Sequence, residues 1–204
     1  FRFIGHKDSV KLISMKFLIL IIIILFSFLK NFAFGEIPQS DKIIAYYAFS
    51  GNANDSSGNG YDGTISGDPQ LTTDRFGDSN SAYSFDGDGD WIYFGTDTLP
   101  TNNGGNISDA FTISVWAKSS STSTMDLFAY GGMVSCGGGR YGAIVRLGSN
   151  IQFNSCNNGY NTSASGKNSD GNWHQYVFTW NGSNSRKVYI DGSLVSSNST
   201  SNVF

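Results

Sequence analysis

Residues 172–182 of this 204-residue chain read NWHQYVFTWNG, and residues 187–195 read KVYIDGSLV. Alternate side chains of an extended strand share a face. In a strand that starts at Trp173, the residues on one such face are His174, Tyr176, Phe178 and Trp180. Asp191-Gly192 lies between two apolar runs and favours a type I′ turn, because both central residues of that turn need positive φ. The stretch therefore predicts a long strand, a turn and a β-hairpin.

Other segments of the chain show the same alternation. In residues 111–118 one face would carry Phe111, Ile113, Val115 and Ala117. Further short strands are expected at 42–49, 82–85, 91–94, 127–130, 141–147 and 151–154, separated by Gly-, Ser- and Asn-rich turns. No window after residue 36 has a sustained helical period, and turns recur about every ten residues. We predict an all-β, two-sheet antiparallel β-sandwich.

Residues 15–35 resemble an export signal, and we expect residues 1–14 to be upstream sequence without a structural role. Met15-Lys16 precedes an apolar run from Phe17 to Leu29, and small residues stand just before Glu36. This pattern predicts a signal peptide cleaved before Glu36, a domain at 36–204, and a secreted or cell-surface protein. The apolar run is shorter than the roughly 20 residues of a membrane helix, so we expect no stable membrane span after cleavage, with an uncleaved anchor as the alternative.

The expected mature segment is acidic. Residues 36–204 contain eight basic and fifteen acidic residues, a formal net charge of −7. Such a surface repels phosphate backbones, and no basic stripe interrupts it. The composition therefore argues against nucleic acid as a partner.

Cys136 and Cys156 are the two cysteines of the chain. In an oxidising compartment they are expected to form a disulfide, which in the chain-entropy model would stabilise the fold by roughly 3 kcal/mol. Two unpaired thiols or metal ligands are the alternatives. Zinc is disfavoured because His174 is the one histidine after residue 36.

Four sequence blocks in order carry a family resemblance. They are Tyr47 to Gly60 with its Asp-x-Ser-Gly-x-Gly end, Tyr83 to Ile92, Phe111 to Trp116, and the Trp173 strand with its Tyr-x-Asp-Gly hairpin. Together they resemble the laminin-G-like, concanavalin A-like lectin and glucanase jelly-roll family, over roughly residues 42–204. The resemblance implies a jelly roll that acts as a secreted recognition module. Members usually close with an Ile-Asp-x-Val-Arg strand that this chain lacks, so we expect a domain missing its closing strand.

The resemblance also implies calcium near two acidic loops. Calcium takes six to eight oxygen ligands from carboxylates, amides and carbonyls. The candidate ligands are Asp55, Asn59, Asp86, Asp88 and Asp90. The alternative is that the Asp-Gly repeats form a solvated hairpin turn.

Carbohydrate binding needs flat rings against sugar faces. The candidate aromatic residues are Tyr61, Trp91, Tyr130, Tyr141 and Tyr160. The alternative for each is packing in the core, where most aromatics of a β-sandwich lie. The expected partner is a carbohydrate or another extracellular molecule.

The same scaffold also carries glycosidases, so an enzyme is the rival hypothesis. Glycoside hydrolysis needs two carboxyl groups that flank the scissile bond. The related glucanases use closely spaced glutamates on one strand, whereas Glu36 is the one glutamate in this chain. We therefore expect a non-catalytic module or, alternatively, an accessory domain of a larger secreted hydrolase or adhesin.

Overall fold

The computed structural model describes residues 42–95, 110–123, 125–130, 143–147, 151–155, 162–164 and 169–199. The chain divides into two compact units, Phe1–Ile43 and Ile44–Phe204, and the strands of the described residues belong to the second unit. The segment 1–35, both cysteines (Cys136 and Cys156) and the candidates Tyr141 and Tyr160 lie outside the described residues. Among the described residues, no helix has the length and apolar character needed to span a bilayer.

Twelve β-strands make up the regular structure of the described part. They are β1 Thr64–Ser66, β2 Gln70–Thr72, β3 Ala82–Ser84, β4 Trp91–Tyr93, β5 Phe111–Lys118, β6 Met125–Tyr130, β7 Ala143–Leu147, β8 Ile151–Ser155, β9 Thr162–Ala164, β10 Trp173–Trp180, β11 Ser185–Ile190 and β12 Ser193–Ser199. All pairings are antiparallel and form two four-stranded sheets, β12-β11-β10-β5 and β6-β7-β8-β9, and two ribbons, β1-β4 and β2-β3. The all-β prediction is confirmed.

The core lies on one face of β10. His174, Tyr176, Phe178 and Trp180 are all buried, as the alternation predicts. On β5, Phe111 is buried and Ile113, Val115 and Ala117 pack against the same cluster. Ile151 of β8 belongs to that cluster too, so the two four-stranded sheets pack face to face.

The hairpin between β11 and β12 also forms as predicted. Ile190 pairs with Ser193, which leaves Asp191 and Gly192 as a two-residue loop. Both have positive φ, 49° and 77°, as a type I′ turn requires. The Asp-Gly dipeptide thus fixes the register of β11 and β12.

The strand predicted at 42–49 is wrong. Tyr47 makes an isolated bridge with Asp55, and the neighbouring residues are irregular. The N–H of Tyr46, which a strand ladder would use, donates instead to Asp55 Oδ1 at 2.9 Å. A side-chain acceptor has replaced a backbone partner.

The acidic turn at 86–90 does not close a hairpin. The strands predicted on either side of it form, but β3 pairs with β2 and β4 pairs with β1. Residues 85–90 therefore lead the chain from one ribbon to the other. The three-residue strands β1, β2 and β9 were not predicted, because segments this short show little alternation.

Candidate functional site

The β1-β4 ribbon exposes two large aromatic rings on one face. Trp91 is 55% and Tyr93 49% exposed. Residues directly opposite in an antiparallel pair share a face, and the partners here are Ser66 for Trp91 and Thr64 for Tyr93. We call these four residues the aromatic face. It combines two rings, two residues apart, with two hydroxyl groups.

A pocket of about 330 Å³ adjoins the aromatic face through Tyr93 and Thr64. The other lining residues are Gly60, Tyr61, Asp62, Phe94 and Gly95. Asp62 is exposed, and its Oδ1 accepts the N–H of Asp55 at 2.8 Å. Aromatic rings, a hydroxyl and a carboxylate therefore converge on one opening.

A packed aromatic group supports the pocket. The rings of Phe94 and Tyr47 have centroids 4.2 Å apart, and the hydroxyl of Tyr47 donates to the carbonyl oxygen of Tyr61 at 2.6 Å. Burial, followed by the nearby carboxylates of Asp55 and Asp62, raises the pKa of Tyr47 to about 12. The hydroxyl stays protonated at neutral pH, so it keeps this hydrogen bond.

Asp55 organises the loop before the ribbon. Its Oδ1 accepts the N–H groups of Tyr46 and Ser57, and its Oδ2 accepts the Ser57 hydroxyl and the Tyr61 N–H, all within 3.1 Å. Burial raises the pKa of Asp55, but these hydrogen bonds outweigh it and lower the pKa to about 2. Asn59 donates from Nδ2 to the Ile44 carbonyl at 2.9 Å. The predicted calcium ligands Asp55 and Asn59 thus form hydrogen bonds that stabilise the loop in which they lie.

A separate acidic group lies at the end of the ribbon. Oxygens of Asp68, Asp86 and Asp90 all lie within 4.8 Å of one another. Asp90 Oδ1 accepts the N–H of Asp68 at 2.9 Å. Gly67 has φ +79°, and a Cβ there would collide with Asp90 Oδ1, so glycine permits this close approach. We call these three residues the acidic group.

Two of the five predicted calcium ligands, Asp86 and Asp90, belong to the acidic group. Asp88 is outside it and exposed, and its N–H donates to Asp86 Oδ1 at 2.7 Å. Asp68 was not predicted. The missing signal was the register of β1 and β4, which pairs Ser66 with Trp91 and so brings residues 67–68 beside Asp90.

Some of the predicted aromatic ligand residues also lie at the site, and others lie elsewhere. Trp91 lies on the aromatic face and Tyr61 lines the pocket, whereas Tyr130 ends β6. Tyr93 was missed as a candidate, although its position two residues after Trp91 in a predicted strand placed it on the same face.

His174 joins the start of β10 to the β11–β12 turn. Its Nδ1 lies 2.8 Å from Asp191 Oδ2, and its Nε2 lies 3.1 and 3.2 Å from the two oxygens of Asp170. Each ring nitrogen of His174 therefore lies within hydrogen-bond distance of a carboxylate oxygen. Hydrogen bonds from the backbone and side chain of Asn172, and then from His174, lower the pKa of Asp170. This buried histidine has a structural role.

The two antiparallel four-stranded sheets packed face to face define a class, the β-sandwiches. Residues 86–204 match a laminin G family described as the concanavalin A-like lectin/glucanases superfamily. The chain belongs to that superfamily. No curated protein matches the sequence.

Solved structures with the same fold include toxin fragments. One is the binding domain of Paraclostridial Mosquitocidal Protein 1, with 17% identity and a TM-score of 0.52, covering 78% of this chain and 41% of that one. Another is botulinum neurotoxin type C, whose cell entry depends on interaction with two ganglioside molecules, with 17% identity and a TM-score of 0.53, covering 80% and 40%. This chain thus spans about two fifths of either structure. At this identity the likeness concerns the fold alone.

Proposed function

We propose that this domain is a non-catalytic, extracellular carbohydrate-binding module, and that the sugar lies on the aromatic face and reaches into the adjoining pocket. The observation that carries the proposal is the exposure of Trp91 and Tyr93 on one face beside that pocket. The botulinum neurotoxin chain, of which this chain covers 40%, interacts with gangliosides, and this supports a sugar as the class of ligand. The share of the toxin structures that it covers supports a module within a larger secreted protein.

The chemistry of the aromatic face suits a sugar. A pyranose ring has an apolar face of C–H groups and an edge of hydroxyl groups. Trp91 and Tyr93 offer flat apolar surface to the C–H face of the sugar. The two residues are about 7 Å apart along the strand, which is close to the length of one sugar unit. Thr64 and the carboxylate of Asp62 lie beside these two rings and can exchange hydrogen bonds with the hydroxyl groups of the sugar.

The carboxyl groups support binding without hydrolysis. A glycosidase needs an acid whose pKa is raised, so that it is protonated at working pH. The resolved pKa shifts among the described carboxyl groups, those of Asp55 and Asp170, are both downward. Release of reducing sugar from a bound glycan by the purified chain would favour the glycosidase alternative.

A calcium ion at the acidic group is a further part of the proposal. Three carboxylates this close repel one another, and a divalent cation removes that repulsion. The residues fit a hard cation, since the group offers carboxylate oxygens and has water access. Asp68, Asp86 and Asp90 would hold the ion, which would stiffen the end of the ribbon next to Trp91.

The binding test uses a glycan array, followed by calorimetric titration of the best-bound neutral oligosaccharide. We expect Trp91→Ala to weaken binding by about tenfold or more, equivalent to about 1.4 kcal/mol. Phe85→Ala is the matched control, because Phe85 is 49% exposed, close to the 55% of Trp91, but lies off the aromatic face. Equal binding by both variants would contradict the proposed site.

The calcium test measures the melting temperature with saturating calcium and with chelator. We expect calcium to raise it by a few degrees, as binding to the folded state requires. Asp68→Asn should abolish the increase without disturbing the turn, because the hydrogen bonds within the acidic group use the carboxylates of Asp86 and Asp90. Asp88→Asn removes the same charge from the turn that carries Asp86 and Asp90, and it should leave the increase intact. A melting temperature indifferent to calcium would count against the ion.

A further inference from the structure

The hairpin loop of the β2-β3 ribbon places a cation over two aromatic rings. The guanidinium carbon of Arg75 lies 4.2 Å from the ring centroid of Phe76 and 4.5 Å from that of Trp116 on β5. Phe76 is 73% exposed and Trp116 39% exposed. Both rings are therefore open to solvent next to a positively charged group.

The loop that carries Arg75 is held in shape by its own hydrogen bonds. Asp74 Oδ1 accepts the N–H groups of Phe76 at 2.8 Å and Asp78 at 3.0 Å, and the Asp74 N–H donates to the Asp78 carbonyl at 3.1 Å. The carboxylate next to Arg75 in sequence is thus engaged with backbone. Among the described residues, none offers Arg75 a carboxylate within ion-pair distance.

Other groups of the sheet surface extend this site. Lys118 stands two residues after Trp116 on the same face of β5, about 7 Å along the strand, and its Nζ lies 5.4 Å from the ring centroid of Trp173. Gln175, the cross-strand partner of Trp116, donates from Nε2 to the Ser114 hydroxyl at 3.1 Å. Neither β5 nor β10 contains an acidic residue. Arg75 and Lys118 thus place two positive charges at this surface, while Asp74 and Asp78 lie in the hairpin loop beside Arg75.

The two surfaces of a guanidinium serve different partners. Its face stacks on aromatic rings, while its N–H edge forms paired hydrogen bonds with a carboxylate. The guanidinium carbon of Arg75 lies over the rings of Phe76 and Trp116, and the residue is exposed, so its N–H groups can reach a ligand. The neighbouring hydroxyl and amide groups suit the hydroxyls of a sugar that bears that carboxylate.

We propose that Arg75, Trp116 and Lys118 form a second glycan site, which binds the carboxylate of an acidic, uronic-type sugar. The proposal rests on the carbohydrate-binding function proposed above, but it uses none of the residues of the aromatic face. Arg75 forms the paired hydrogen bonds, and Lys118 attracts the charge of an adjacent sugar unit.

The test titrates the full chain with a short oligogalacturonate in the presence of chelator, so that calcium takes no part. Because the paired hydrogen bonds need the planar fork, Arg75→Lys should weaken binding by about fivefold or more although the charge is kept. Full methyl esterification of the sugar should weaken binding by about tenfold, because it removes the carboxylate charge. Lys187→Gln is the control, since Lys187 lies two strands and four residues from Trp116, roughly 16 Å away, and we expect it to change binding less than about twofold.

Equal losses from Arg75→Lys and Lys187→Gln, or equal binding of the esterified sugar, would overturn the proposal. Equally tight, Arg75-dependent binding of polyglutamate would overturn the assignment to a sugar. Trp91→Ala separates the two sites. If Trp91→Ala abolishes neutral-glycan binding but Arg75→Lys leaves oligogalacturonate binding unchanged, the proposed function is supported and the second site is contradicted. If no neutral glycan binds but Arg75→Lys still weakens oligogalacturonate binding, the second site stands and the aromatic face fails.

Discussion

Strands β10 and β4 carry the same kind of residue in opposite environments. On β10 the alternate residues Tyr176 and Phe178 are buried, and Trp180 is 2% exposed. On β4 the alternate residues Trp91 and Tyr93 are half exposed. β10 lies inside a four-stranded sheet whose inner face meets a second sheet, whereas β4 belongs to a two-stranded ribbon. Alternation in the sequence therefore predicts which aromatic residues share a face of a strand. Whether a second sheet packs against that face determines whether the rings stabilise the core or remain available to a ligand.

The largest expected effect on stability comes from a substitution in the buried face of β10. Phe178→Ala removes a fully buried ring and should lower the free energy of unfolding by about 3–5 kcal/mol. Trp91→Ala, on the exposed side, should change it by less than about 0.5 kcal/mol. Urea denaturation of both variants measures the two values. Similar losses in both would mean that β4 is as much a part of the core as β10.

A smaller loss of stability is expected at His174, the polar residue on the buried face of β10. His174→Phe keeps a ring of similar shape but loses the hydrogen bonds to Asp170 and Asp191. We expect a loss of roughly 1–3 kcal/mol, because hydrogen bonds to charged groups stabilise more than neutral ones. Asp78→Asn, at an exposed carboxylate that accepts no hydrogen bond from the described residues, is the control. Unchanged stability in His174→Phe would show that the contact is incidental.

The smallest effect belongs to the loop that supports the pocket. Because the folded-state pKa of Asp55, about 2, lies below its unfolded value, the ionised group stabilises the fold above about pH 4. That contribution is lost as the pH falls through about 2. Asp55→Asn should therefore cost about 1 kcal/mol at neutral pH after screening by solvent. Its stability should also vary less between pH 4 and pH 2 than that of the unmodified protein, and an identical acid profile would contradict the hydrogen-bond account.

The fold was predictable where the pattern was long. The eight residues of β10 and β5 alternate throughout, and the Asp191-Gly192 turn has one preferred geometry, so the sequence predicted both. The segment 42–49 is rich in strand-forming apolar residues, but the carboxylate of Asp55 takes the N–H that a strand would have used. Arg186 was not foreseen on the inner face of β11, where it is buried against Trp180.

The site was predictable only in part. Trp91 and Tyr61 could be selected as aromatic candidates, and Asp86 and Asp90 as acidic ones. Asp68 and Tyr93 join them because β1 pairs with β4, and three-residue strands leave too weak a pattern to reveal that pairing. The Arg75 contact with Trp116 links residues 41 positions apart, and no local pattern encodes it.

The most direct test of the central claim maps the bound sugar by NMR. The amide resonances of the isotopically labelled protein are followed while the best-bound neutral oligosaccharide from the glycan array is added. We predict that the largest shifts occur at residues 64–66 and 91–93 of the β1-β4 ribbon, with the resonances of 173–180 nearly unchanged. Saturable shifts that leave the ribbon unaffected, or no shifts with any glycan, would contradict the account.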